Sequence, residues 1–509
     1  MELTPEFYVN LKNGRFDSTS PEAMDAIFTK WDADASRPLV VHLHGGLVNE
    51  ASGMAVAKRL LPFYWDSGTY PVFFVWEAGL IEVLTHNLGE IFDERFFKRL
   101  LTLASKFVIG KLNDGEARGA TIDLPSEESI QRELRLGVPR DVPFEDRSAT
   151  ELPEDAVLTS AQEQQVRRMI ESDRTLGVEI QAIVNSRRAD ADIAAEAMVT
   201  RGGRVRTVSH SLMDASVIDD IDAERSAGDA RALFGIPGRV VKGAVVIIAR
   251  VIRRFAERRD HGVYATIVEE VLREFYVGNA GQLVWDLMKT DTKDAFGADP
   301  NLFGGTRFMS LLAGRLEADA TRRVILVGHS TGAVYICNML KQAVASLPAN
   351  AQVDLLLLAP ANTFALLAET LAVAKSRIRN VRVFGMQDEV ERENRLVPVV
   401  YPHSLLYFVS GVCEAGQGDD AGDTPIVGLQ RYYSAKAPYE TLPEIEAVAA
   451  FLGENGRKWA VWSIADDGLG FGCDARTHGD LDNFETDDDP PKMRPEGISV
   501  RHLLTHGYV

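Results

Sequence analysis

The chain has 509 residues, 46% of them hydrophobic and 25% charged, with a formal net charge of −19. That is enough apolar material for a large globular core, in about two to four domain-sized units by length. The excess of acid argues against non-specific nucleic-acid binding and repels anionic surfaces, so any basic site has to be local.

In chain order, Tyr8 to about Thr29 reads as a short β lead-in followed by a helix. Leu39 to Leu43 is a buried-strand run that ends in His44-Gly45-Gly46-Leu47. Gly53 to Tyr64 has helical apolar spacing, and Pro71 to Trp76 is a second buried strand, so the three form a parallel crossover unit. From about Gly79 the strand signals fade. Residues 79–318 read as one mostly helical insertion, with a polar, proline-punctuated stretch from Asn113 to Pro153 and a strongly apolar helix from Arg239 to Arg259. Strand and helix alternation then resumes, with strands at Val324–Val327, Val353–Leu358, Val381–Gly385 and Trp459–Ser463. Residues 1–78 and 319–480 are thus the two parts of one α/β core, a doubly wound and mostly parallel sheet, with an excursion over 389–442. Residues 481–509 read as an acidic C-terminal tail, Asp487 to Pro491 being solvated.

Arg323 to Ala333 carries Gly328-His329-Ser330-Thr331-Gly332, a strand that ends abruptly in a turn and then a helix. In a G-x-S-x-G turn the serine sits in a strained position with its hydroxyl projecting, and the glycines let strand and helix approach. Ser330 is therefore the expected nucleophile. A serine hydroxyl is weak at neutral pH and needs a base, an orienting carboxylate and donors for the oxyanion. In a doubly wound sheet these come from the carboxyl ends of different strands. Asp388, just past Val381–Gly385, is the expected acid, with Glu389 and Glu391 as neighbouring competitors. His478, in the first long loop after the last strand, is the expected base, ahead of His506 in the tail and His403 before the final strand; His502 also follows that strand. The oxyanion donors expected are the main-chain N–H groups of Thr331 and of Gly46, with Leu47 as second choice to Gly46. A tight turn needing positive φ would also call for those glycines.

The order of parts, from His-Gly-Gly after an early strand to Gly-His-Ser-Thr-Gly, then Asp388, then His478, resembles the α/β-hydrolase superfamily. The resemblance covers about residues 37–78 and 322–480. It implies an α/β-hydrolase fold and a triad of Ser330, Asp388 and His478 acting through an acyl-enzyme. The insertion departs from the pattern by lying before the nucleophile strand, where the superfamily's lids commonly follow a later one.

Chain leaving an early strand emerges at the same sheet edge as Ser330, so the insertion is expected to cap the site. Its helix over 239–259 suits burial within that cap. The alternative is peripheral contact with an anionic lipid surface, since arginines flank its apolar face. Glu77 and Trp76 are pocket-lining candidates. The glycine pairs Gly202-Gly203 and Gly304-Gly305 lack the flanking strand, lysine and spacing of a nucleotide loop, and the histidines form no metal cluster, so no cofactor is expected. Cys337, Cys413 and Cys473 suggest no disulfide framework, and the N-terminus has no secretory pattern, which together point to the cytoplasm. The expected activity is hydrolysis of a small-molecule or lipid-like carboxylic ester, without nucleic acid. The competing reading is a non-catalytic interaction protein that uses its insertion to bind a partner.

Overall fold

The structure, a computed structural model, describes residues 1–46, 50–76, 81–115, 157–199, 211–226, 235–277, 281–398, 400–415, 422–434, 436–454, 458–486, 488 and 491–508. Leu47, Glu77 and nearly all of 113–153 lie outside them. Eight strands make one sheet: β1 Tyr8–Lys12, β2 Arg15–Phe16, β3 Leu39–Leu43, β4 Tyr70–Trp76, β5 Val324–His329, β6 Val353–Leu358, β7 Ile378–Met386 and β8 Lys458–Ser463. Their spatial order is β2-β1-β4-β3-β5-β6-β7-β8. The β1–β2 pair is antiparallel and each other neighbouring pair is parallel. Continuous apolar runs such as Val353-Asp-Leu-Leu-Leu-Leu358 suit strands covered on both faces, and β3 to β6 are buried throughout. Edge strand β8 is less completely covered, leaving Trp459 half exposed.

The topology decides where a ligand can sit. From β3 the chain moves out to β4 on one side, and after the insertion it returns to β5 on the other. The direction of winding reverses there, which leaves a crevice between the carboxyl ends of β3 and β5. Those ends carry His44-Gly45-Gly46 and His329-Ser330.

Between β4 and β5 the described residues contain helices and no strand. The helix Gly238–Ala256 is the centre of this insertion, packing on the helices Arg95–Gly115, Ser160–Glu171, Ala215–Ser226 and Val263–Phe275. Of the two placements its sequence allows, burial is the one observed: Val240, Val241, Ile247, Ile248, Val251 and Ile252 are all inside. Its arginines face acids. Arg254 pairs with Glu269 at 2.7 Å and Glu270 at 3.1 Å, and Arg239 with Glu274 at 2.7 Å. Toward its end the insertion rejoins the core before the expected boundary at 318, because Gly304–Ala318 packs on Pro21–Ala33 and on Gly332–Ser346. No helix among the described residues is long and apolar enough to cross a membrane.

The excursion after β7 is a bridge between core and insertion. Leu405–Phe408 runs into a π-helical turn, Val409–Cys413, that packs on the insertion helix Val263–Phe275. Gly411 is required there, since a Cβ would stand 2.3 Å from the Glu269 carboxyl carbon.

The expected acidic tail is different in kind. Pro495–His506 is a helix that buries Val500, Leu503 and Leu504. Arg323 donates to the carbonyls of Leu503 and Leu504 at 2.8 and 2.7 Å, and Tyr508 donates to Leu355 O at 2.9 Å. Val500, Leu503 and Leu504 share one helix face by their spacing, a signal that the preceding run of aspartates obscures. Asp487, Asp489 and Pro490 lie outside the described residues.

Candidate functional site

Ser330 follows β5 directly and has φ of +53°, a left-handed conformation that costs a residue with a Cβ. The surroundings hold it there. Its N–H donates to Leu358 O on β6 at 2.9 Å, and its carbonyl accepts from Ala361 N at 3.0 Å and Ala333 N at 3.1 Å. The flanking glycines have a measurable reason. A Cβ on Gly332 would stand 2.1 Å from Leu43 O, and one on Gly328 would stand 2.8 Å from the Gly332 carbonyl carbon. Only glycine lets the helix start this close to β3 and β5.

The serine lines a cavity of about 380 Å3 with His44, Gly45, His329, His478 and Asp482. Ser330 Oγ is buried and has no hydrogen-bond partner, and neither ring nitrogen of His478 has one. A buried polar group without a partner is expensive, and three such atoms in one cavity mark a place shaped for something else. Burial pushes His478 down to about 3, His329 adds to the effect, and Asp482 opposes it. The ring is therefore neutral at physiological pH, the form that accepts a proton.

His329 and Asp482 were not singled out by sequence, and they complete the cavity. The His329 ring lies 4.9 Å from that of His478, and its Nε2 is 3.1 Å from the His478 carbonyl oxygen. Its Nδ1 lies 3.6 Å from Asp482 Oδ2, and Asp482 Oδ1 lies 3.3 Å from Arg59 Nη2. Burial works to raise the Asp482 carboxyl, but His329, Arg59 and His42 outweigh it and hold it below the usual range. The signal available in sequence was the short spacing from His478, which the 3-10 turn His478–Asp482 folds back on itself.

At the end of β3, a Cβ on Gly45 would stand 3.2 Å from both Ser330 Cβ and His329 Nδ1, so this backbone abuts the serine. Gly46 lies against Thr331: a Cβ there would come within 2.3 Å of Thr331 Oγ1 and 1.8 Å of Met288 Sδ, a side chain of the insertion. His44 fixes this loop. Its ring stacks on Trp76 at 4.1 Å, its Nε2 accepts from Trp76 N–H at 3.2 Å, and its Nδ1 reaches Gly45 O at 2.6 Å. A ring nitrogen that accepts a main-chain N–H leaves the other as the donor, which assigns the proton to Nδ1. Burial lowers this histidine to about 4.

Asp388 lies elsewhere. It lines a separate cavity of about 500 Å3 with Glu389, Arg392 and Gln430. Its Oδ1 accepts from Tyr407 O–H at 2.5 Å, its Oδ2 from Arg392 Nε at 3.1 Å, and its own N–H donates to Gln430 Oε1 at 3.0 Å. The excursion supplies Tyr407, Gln430 and Arg392, which occupy this aspartate. Glu391 is buried beside it, and burial raises its carboxyl to about 8. Among the other histidines, His403 Nε2 lies 2.7 Å from His261 O, and His506 contacts Thr505 Oγ1 at 2.7 Å and stacks on His502. None of the three lines the Ser330 cavity. Compared with protein families, with curated proteins and with solved structures, the chain matches none.

Proposed function

We propose that this chain is a serine hydrolase of the α/β-hydrolase superfamily that cleaves carboxylic esters. The observation that carries the reading is the pairing, in one cavity at the point where the sheet's winding reverses, of an unpartnered Ser330 hydroxyl with an unpartnered, neutral His478 imidazole. A strained serine at that position is a recurrent way to expose a nucleophile.

In the reaction, Ser330 Oγ forms a bond to the ester carbonyl carbon as its proton passes to His478. The carbonyl oxygen becomes an oxyanion, received by the main-chain N–H groups of Thr331 and Gly46. His44 holds the Gly45 carbonyl, and in a planar trans peptide the Gly46 N–H then faces the opposite way. The bond to the leaving alcohol breaks and His478 returns the proton to it. Water adds to the acyl-enzyme by the same relay in reverse, releasing the acid and restoring Ser330. The carboxylate that supports the imidazolium is Asp482, whose charge acts on both His478 and His329. Asp388, first in chain order for that part, instead braces the excursion through Tyr407 and Arg392.

Turnover of nitrophenyl esters tests the reading. Wild type hydrolyses them, and Ser330→Ala and His478→Ala do not. A folded wild type without turnover on any acyl length would move the chain to the non-catalytic reading.

A further inference from the structure

The Ser330 cavity is small and unevenly lined. Its volume of about 380 Å3 holds on the order of a dozen non-hydrogen atoms at about 30 Å3 apiece, the share of a water in the liquid. A long acyl chain would have to run out of that space. Val56, Leu396 and Leu405 supply an apolar side, and beside them stands Arg395. Among the described residues it is the one lysine or arginine in the lining, it is exposed, and its guanidinium has no ion pair or hydrogen bond. Two other arginines close by are engaged, Arg59 with Asp482 and Arg392 with Asp388. Among the described residues the one carboxylate in the lining, Asp482, is buried and held by Arg59 and His329, so it does not neutralise Arg395. In a chain of net charge −19, an uncommitted guanidinium at the mouth of the nucleophile's cavity is a local anion receptor.

We infer that the acyl group taken by this site is short and ends in an anion, a half-ester of a small dicarboxylic acid, with Arg395 holding the free carboxylate and Val56, Leu396 and Leu405 its methylenes. The inference rests on the serine-hydrolase reading. Arg395 selects substrate and takes no part in bond making, so its effect falls on KM.

Two nitrophenyl esters separate the possibilities, the hexanoate and the adipate half-ester, which differ by a terminal carboxylate. For wild type, kcat/KM for the adipate half-ester exceeds that for the hexanoate by about 10-fold or more, the worth of a charge-assisted contact, and the excess shrinks as salt is raised. Arg395→Gln abolishes the preference through KM, and Arg395→Glu inverts it. Equal KM shifts on the two esters, or a preference that survives Arg395→Gln, overturns the inference while leaving the hydrolase reading intact. If neither ester turns over, the hydrolase reading fails and a binding measurement decides this one: adipate binds Ser330→Ala protein by calorimetry and loses that binding when Arg395→Gln is added. Adipate binding that is absent, or indifferent to Arg395, overturns it.

Discussion

The ring nitrogens of His478 and His261 are both shut off from solvent, yet their surroundings differ. His261 sits between the insertion and the excursion. Its Nδ1 is 2.7 Å from Glu269 Oε1 and its Nε2 is 3.6 Å from Asp423 Oδ2. Tyr432 and Tyr439 each donate to Asp423 Oδ2 at 2.7 Å, and Arg254 completes Glu269. Burial alone would raise the Glu269 carboxyl, but His261 and Arg254 outweigh it and hold it down to about 2. The ring nitrogens of His478, by contrast, have no hydrogen bond and no ion-pair partner among the described residues. Where charges are buried in company, the region is fixed and structural, and removing one partner strands the rest. Where polar atoms are buried alone beside a cavity, stability has been given up for a ligand.

That contrast breaks down if the two regions respond alike to mutation, and the largest test is on rate. Ser330→Ala and His478→Ala should each lower ester hydrolysis by about 10^4- to 10^6-fold, while thermal unfolding shows stability unchanged or raised, because an unpaired buried group is gone. Arg254→Ala should do the reverse. Urea unfolding should report a loss of about 3–5 kcal/mol, with activity falling only as far as the folded fraction does. A loss under about 1 kcal/mol would mean that the insertion is not held by this cluster.

The comparison sharpens at the two aspartates. Asp482→Asn is expected to cost about 10^2- to 10^4-fold in kcat, on the scale of orienting carboxylates, and Asp388→Asn within about 3-fold, with its effect on stability through the lost Tyr407 and Arg392 contacts instead. A larger kinetic loss at Asp388 would return the acid's role to it.

The smallest effects are in pH. His478 is held near 3, so between there and its unfolded value near 6.5 the unfolded chain binds more protons than the folded one. The contribution is complete above about 6.5 and is lost as pH falls, and His478→Gln should flatten that part of the stability curve. His42 and His44, lowered to about 3 and about 4 by burial, act in the same direction. Glu391 acts oppositely: raised to about 8, its contribution is present below its unfolded value and is lost as pH rises toward 8, so Glu391→Gln should remove that alkaline decline. The acid limb of kcat/KM should lie below 6.5 for the same reason that His478 stays neutral.

Much of the sheet was legible because its strands are unbroken apolar runs with abrupt ends. Leu39–Leu43 and Val353–Leu358 fall where expected to the residue. Ser330 was legible because close approach of Leu43 O to the next helix tolerates only Gly332, and the spacing of glycines records that. Asp482 was not, since its partners Arg59 and His329 are remote in sequence and a lone carboxylate near a histidine looks like solvated surface. Asp388 misled for a related reason: its place after β7 is visible, but Tyr407 and Gln430, which claim it, belong to an excursion without periodicity. The docked helix Pro495–His506 was hidden by the acidic run before it.

The account turns on whether the Ser330 hydroxyl is a nucleophile activated by a neighbouring base, and covalent labelling reads that without knowledge of the substrate. Treated with a fluorophosphonate and weighed intact, wild type should gain one adduct, mapped by peptide mass to Ser330, with His478→Ala labelled far more slowly and Ser330→Ala not at all. Folded wild type that stays unmodified, or an adduct on any other residue, would contradict it.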